Sequence, residues 1–229
     1  FSNIKKFDGR KLRRLNISEI GQIAGRAGRY LNDGLFGITG DCDKINPEEI
    51  EALENHKFPE IQSIYWRNSE IIFNNKINLL KSLDERPNKD WLKRVGECED
   101  EKVLKYFLKD SKNLVIDDNS NILSILWECC QIPDFVKKTY GNHIEVVGKV
   151  FNFLIGKDKK IPNYYMKEQL SSLDNLEGNV DSISNRIANV RTWSYVSNKA
   201  NWVENQDYWI ERTKYLEDKL SDKLHEELI

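Results

Sequence analysis

Gln22, Arg26 and Arg29 are the residues of this chain best suited to chemistry on an anion. They stand in the run Gln22-Ile-Ala-Gly-Arg-Ala-Gly-Arg29. On a helical wheel of about 100° per residue, Arg26 falls about 40° and Arg29 about −20° from Gln22, so the three share one stripe. Ile20, Ile23, Ala24 and Ala27 fall opposite and supply a docking face. Two guanidiniums on one stripe repel each other unless an anion lies against them, and their planar forks match phosphate oxygens. Gly25 and Gly28 each cost a helix interior about 1 kcal/mol relative to alanine. In return they clear side chains from beside the arginines, so that another surface can approach. The plain alternative is a surface helix with two solvated arginines. The aligned glutamine and paired glycines favour a functional reading, because broken local rules tend to mark sites.

The elements that must position these residues are short. The segments Ile4-Lys-Lys-Phe7 and Arg10-Lys-Leu-Arg13 flank Asp8-Gly9, a hairpin signal. Asn16 followed by Glu19 forms a capping box, which starts a helix expected to carry the glycine-arginine run and to fray near Tyr30. Asn32-Asp33-Gly34 reads as a turn and Leu35-Phe-Gly-Ile-Thr39 as a short strand. Residues 1–45 are therefore expected to be α/β.

After Asn46-Pro47 the pattern turns helical. Pro47 stands at a first helical position with acids behind it. Phe73, Ile77 and Leu80 are helically spaced, as are Ile144, Val147, Phe151 and Leu154. Pro59, Pro87, Pro133 and Pro162 punctuate the segments, and 110–120 reads as a loop. Leu176, Val180, Ile183, Ile187 and Val190 form a seam of period near 3.5, and Trp209, Thr213, Leu216, Leu220 and Leu224 a second. The spacing predicts an antiparallel helical hairpin over 176–199 and 204–228. The sheet is expected to end before about Cys42.

The motif Gln22-x-x-Gly25-Arg26-x-Gly28-Arg29 resembles the last signature motif of superfamily 2 helicases. The longer run from Phe1-Ser-Asn-Ile-Lys-Lys through Arg29 resembles the DExH-type RNA helicases of the mitochondrial degradosome and its bacterial relatives. That resemblance implies a mainly α chain: a small α/β remnant of a second RecA-like helicase domain (1–45), then an all-helical C-terminal domain (46–229) ending in a helical hairpin. It implies that Arg29 is an arginine finger, Arg26 a second γ-phosphate contact and Gln22 a polar partner near the attacking water, with Gly25 part of the ATP-binding segment. Cations set against developing charge are the main device of phosphoryl transfer. It further implies ATP and Mg²⁺ in a full-length parent, with none bound to this piece, and RNA, a 3′-exoribonuclease and a first RecA-like domain as partners in a bacterial cytoplasm. The other class left open is a non-catalytic helical module that binds RNA or a nuclease.

The rest of the chain bounds these readings. It has 229 residues and a net charge of −2, without the basic excess of a dedicated nucleic-acid domain. It begins at Phe1, which suggests processing or excision from something longer. No apolar run approaches the roughly 18 residues of a membrane span, and no secretory signal is present. Cys42, Cys98, Cys129 and Cys130 form no Cys-x-x-Cys pair, so they read as reduced thiols with no metal site. Cys129-Cys130 reads as small buried side chains in preference to a redox pair. Lys5, Lys6, Arg10, Lys11, Arg13 and Arg14 crowd the hairpin, either as an RNA-tracking finger or as solvated surface. Tyr65-Trp-Arg67 and 157–167, with Tyr164 and Tyr165, interleave aromatic and basic residues and suit either base stacking or core.

Within this sequence no Gly-x-x-x-x-Gly-Lys-Ser/Thr loop occurs. Gly156-Lys157 has Phe151 where the first glycine belongs, and Asp84-Glu85 is followed by Arg86-Pro87 instead of ending a buried strand. The purified 229-residue chain is accordingly expected to hydrolyse no ATP. Phosphate release above background would show that a phosphate loop was overlooked.

Overall fold

The computed structural model describes residues 1–8, 11–28, 32–109, 116, 118–137 and 140–228. Among these the chain is mainly helical, with nine helices and two small two-stranded sheets. It divides into two compact units, Phe1–Ile64 and Tyr65–Ile229.

The first unit opens with the expected hairpin. Strand β1 (Lys5–Phe7) pairs antiparallel with β2 (Leu12–Arg14), Lys6 opposite Arg13. Ile4 and Leu15 flank the strands, are linked by the bond from Leu15 N to Ile4 O at 2.7 Å, and are buried. Helix α1 (Ile17–Ala24) starts at Asn16 with both halves of the capping box formed. Helix α2 (Pro47–Glu54) has Pro47 in its first turn, and Glu49 accepts from the Asn46 N–H at 3.1 Å. Ile20 of α1 and Leu53 of α2 meet Ile4, Leu15, Cys42 and Ile45 in one small core.

Three expectations for this unit need correction. Helix α1 ends at Ala24 instead of running toward Tyr30. The last four-residue bond is Gly25 N to Gly21 O, after which Arg26 and Ala27 donate three residues back, to Ile23 and Ala24. Glycine and a tightening turn stop the helix where its propensity fails. Residues 35–39 are no strand. Among the described residues their ladder bonds run only to Phe1, with Thr39 N to Phe1 O at 2.9 Å and Phe1 N to Gly37 O at 2.6 Å, and Leu35 is 98% exposed. Asn32 makes a bend, without a regular turn across Asp33-Gly34. The two compact units divide after Ile64, and Ile45 and Leu53 belong to the first core.

The second unit is not all-helical. Strands β3 (Ile64–Trp66) and β4 (Leu92–Arg94) form a two-stranded sheet, so sheet is not confined to the residues before Cys42. Three-residue strands are too short to show alternation. Helices α3 (Lys76–Leu83), α4 (Glu99–Lys109), α5 (Ser120–Cys130), α6 (Tyr140–Ile155) and α7 (Asn163–Ser171) follow. Phe73 lies before α3 and packs on the core from an irregular segment. Ile144, Val147, Phe151 and Leu154 are buried on α6 as their spacing required. Pro162 caps α7. The loop expected at 110–120 lies largely outside the described residues, with Ile116 buried.

Helices α8 (Val180–Asn198) and α9 (Gln206–Leu228) make the hairpin. Arg191 bonds Glu217 at 2.7 Å and the Ser197 and Thr213 hydroxyls meet at 3.5 Å, so the helices run antiparallel. Ile183, Ile187 and Val190 are buried, and the seam continues through Trp193 and Val196. Trp209, Thr213, Leu216 and Leu220 face it, while Leu176 and Leu224 pack at its ends. A parallel bridge joins Ile161 to Val203 and ties the start of α7 to the hairpin's turn.

Leu216 is fully buried in this seam. Leu216→Ala should destabilise the second unit by about 2–5 kcal/mol, whereas the exposed Lys214→Ala should stay within about 0.5 kcal/mol. All six tryptophans lie in this unit, so urea unfolding followed by tryptophan fluorescence reads it alone. Equal midpoints for the two variants would contradict the seam.

Candidate functional site

Glu19 organises the charged surface of the first unit. As the third residue of α1 it accepts the Asn16 N–H at 2.9 Å, while its own N–H donates to Asn16 Oδ1 at 2.9 Å. The same carboxylate receives both Arg13 Nη atoms at 2.8 Å each and an ion pair from Lys6. Arg13 holds it well below the usual carboxylate range, helped by Lys6 and the Asn16 N–H. Lys6 and Arg13 are cross-strand neighbours. One carboxylate therefore neutralises a cation pair that would otherwise repel across the hairpin.

Arg14 and Lys5 of the hairpin are paired as well. Arg14 forks onto Glu49 at 2.5 and 2.7 Å and lowers its carboxyl. Lys5 reaches Asp43 at 2.7 Å and lowers that group likewise. Lys11 is exposed, with its N–H on Asp8 and no ion pair to its ammonium among the described residues. Arg10 lies outside the described residues. Of the six hairpin cations proposed to follow an RNA backbone, four are thus committed to carboxylates.

Arg26 contrasts with them. It is exposed, and its guanidinium makes no hydrogen bond or ion pair among the described residues, unlike those of Arg13 and Arg14. Gln22, also exposed, stands one turn before it on α1. Because the helix stops at Ala24, Gln22 lies in the helix, and Arg26 is displayed from the turn beyond it. Arg29 lies outside the described residues. Of the four residues expected opposite, Ile20 is buried and Ala24 half-buried, while Ile23 and Ala27 are exposed.

The glycines act differently from the expectation. Gly21, Gly25, Gly28 and Gly34 line a cavity of about 480 Å³ with Leu53, Glu54, His56 and Phe58. A Cβ on Gly21 would sit 2.7 Å from the Phe58 ring. A Cβ on Gly28 would lie 2.7 Å from the Asn32 carbonyl oxygen, and one on Gly34 2.3 Å from the Gly28 nitrogen. Gly28 and Gly34 thus let two stretches of backbone touch, while Gly21 admits an aromatic ring. The spacing 21, 25, 28, which is one helical face, carried that signal in the sequence.

Other candidates fall into place within the second unit. Arg67 is taken up internally: it forks onto Asp100 at 2.8 and 3.1 Å and lies 5.1 Å over the Trp127 ring. Glu101, 2% exposed, sits between Arg67 at 3.4 Å and Arg94 at 3.3 Å. Nothing in the sequence's periodicity marked this buried carboxylate. Tyr65 and Tyr164 are exposed and Tyr165 is buried. Asp84 caps the end of α3 and pairs with Arg94 at 3.2 Å; Glu85 accepts from Asn68. Gly156 lies just past α6. Cys129 and Cys130 are buried free thiols whose ionisation burial pushes upward. Among the described residues no three His, Cys, Asp or Glu side chains converge as a metal group, and no helix is long and apolar enough to cross a membrane.

No family model, curated protein or solved structure matches this chain.

The lowered Glu19 carboxyl gives a pH test. A glutamate depressed in the folded state adds stability in full above its unfolded value of about 4.3, and that contribution is lost as pH falls through the folded value. Amide NMR signals of α1 and the hairpin should therefore weaken as pH drops below about 4. Glu19→Gln should weaken them already at neutral pH and remove this group's acid step. An identical acid profile in the two proteins would refute the clasp.

Proposed function

We propose that this chain is the C-terminal portion of an ATP-dependent, DExH-type RNA helicase working in RNA turnover, and that its first unit belongs to a second RecA-like domain. The observation that carries the reading is the uncommitted guanidinium of Arg26 beside Gln22, in a unit whose other described arginines are both locked onto glutamates. Arginines kept free of carboxylates suit a ligand that brings its own negative charge. The two bonds of Phe1 to residues 37 and 39 support the fold assignment, since they follow the parallel ladder pattern, with α1 in the connection.

In this reading Arg26 and Arg29 meet the γ-phosphate of ATP, and Gln22 holds the attacking water or a neighbouring polar group. Gly25 lets the turn end where Arg26 must stand. A first RecA-like domain supplies the phosphate loop and the carboxylates for Mg²⁺; the groups that this chain offers at the motif are donors, which fit the phosphate end and not the metal. The hairpin can engage RNA only by exchanging Glu19, Glu49 and Asp43 for phosphates, so the reading leans on the arginine segment. RNA, a 3′-exoribonuclease and the bacterial cytoplasm complete it as partners and setting.

The test needs a protein that carries this chain together with the phosphate-loop domain. Arg29→Ala should lower single-turnover ATP hydrolysis by about 10³-fold or more, the scale of an arginine finger. Nucleotide affinity should change far less, and Arg29→Lys should not rescue the rate, because a point ammonium cannot reproduce the planar fork. Gln22→Ala should cost about 10²-fold. Near-normal hydrolysis by Arg29→Ala would favour the other reading, a non-catalytic helical module that binds RNA or a nuclease.

A further inference from the structure

Helices α7 and α9 of the second unit enclose a cleft of about 530 Å³ that no role above uses. Its size lies within the range of small-molecule sites. Its floor is Trp209, buried, with Nε1 donating to Asn163 Oδ1 at 2.8 Å. Two further aromatic rings line it and stay open to solvent: Tyr164 of α7, 65% exposed, and Tyr208 of α9, 57% exposed. Each is braced at right angles by a neighbour, Tyr164 by Phe153 with centroids 6.4 Å apart and Tyr208 by Trp209 at 4.8 Å.

The charge in the cleft is one-sided. Lys167, one turn after Tyr164, is exposed and has no ion pair among the described residues. Arg212, one turn after Tyr208, gives Nη2 to Asp174 at 2.6 Å and lies 5.6 Å over the Tyr215 ring. Asp174 is also held by Lys219 at 2.8 Å, so one carboxylate is shared by two cations. No carboxylate among the described residues lines the hollow. Each helix therefore presents an aromatic ring and, one turn on, a cation.

We propose that this cleft binds a nucleotide unit, with its base against Tyr164 and Tyr208 and its phosphate at Lys167 and Arg212. Every base has a π-face that stacks on an aromatic side chain without regard to sequence. A phosphate supplies a partner for Lys167 and competes with Asp174 for Arg212. The required ligand chemistry is a planar ring carrying an anion a few ångströms away, which a carbohydrate, a lipid tail or a bare anion does not offer. The site stands on the second unit alone and holds whether or not the first unit meets ATP.

The nucleotide can come free or as part of a strand, and the experiment separates the two. Tryptophan fluorescence and calorimetry on the 229-residue chain would follow titration with adenosine monophosphate, uridine monophosphate, inorganic phosphate and a short single-stranded oligoribonucleotide. Saturable binding of a monophosphate, with none of inorganic phosphate, assigns a free-nucleotide site. Binding of the oligoribonucleotide alone assigns a strand site. In either case Tyr208→Ala and Tyr164→Ala should each weaken binding by about tenfold, and Lys167→Glu should weaken it and flatten its dependence on salt. Tyr208→Phe should retain it. Both rings are exposed, so thermal unfolding of the variants should match the parent. No binding of any nucleotide ligand, or binding untouched by these substitutions, would overturn the proposal.

Discussion

The Glu19 carboxylate is the point on which the first unit turns. It caps α1, spans the hairpin to Arg13 and Lys6, and does both with one side chain. Exposed ion pairs taken singly contribute little. A bidentate fork joined to a cap bond and a second cation is a network, and its geometry fixes where the helix begins relative to the strands. The position of the helix start then determines that Gln22 lies in the last turn and Arg26 just beyond it.

This arrangement sorts the positive charge of the unit into two kinds. Lys5, Lys6, Arg13 and Arg14 hold the fold to itself through Asp43, Glu19 and Glu49. The Arg26 guanidinium holds no partner among the described residues. The glycines add a second constraint on the same segment: Gly28 and Gly34 bring their backbones into contact, and Gly21 takes the Phe58 ring. The chain that carries the arginine is thus pinned from behind, as the proposed contact with a phosphate at fixed distance requires.

Much of this was legible in particular residues. Asn16 with Glu19, Asn46 with Pro47, and the two apolar seams of α8 and α9 state their structure locally, although Leu176, read as the start of the first seam, lies before α8 begins at Val180. The end of α1 was misjudged because wheel geometry was extended past Gly25, where backbone entropy and the turn bonds of Arg26 and Ala27 decide the outcome. Residues 35–39 carry strand-forming types, but a strand also needs neighbours, and among the described residues their ladder bonds reach only Phe1. The β3–β4 pair and buried Glu101 depend on Arg67, Arg94 and Asp100 meeting across distant sequence, which no local pattern encodes. The cation pairing of the hairpin was hidden for the same reason: Glu49 lies far from Arg14 in sequence, and charge composition alone counts both as surface. Tyr164 with Lys167 was visible as an aromatic and basic cluster, whereas its convergence with Tyr208 and Arg212 needed the fold.

The claim that unites these observations is that Arg26 is chemically available while Arg13 and Arg14 are not. Limited modification with phenylglyoxal, mapped by peptide mass spectrometry, reads it directly. Arg26 should react well before Arg13 and Arg14, and Glu49→Gln should bring Arg14 up to the rate of Arg26 without altering Arg13. Equal early modification of Arg13, Arg14 and Arg26 in the unaltered chain would contradict the account.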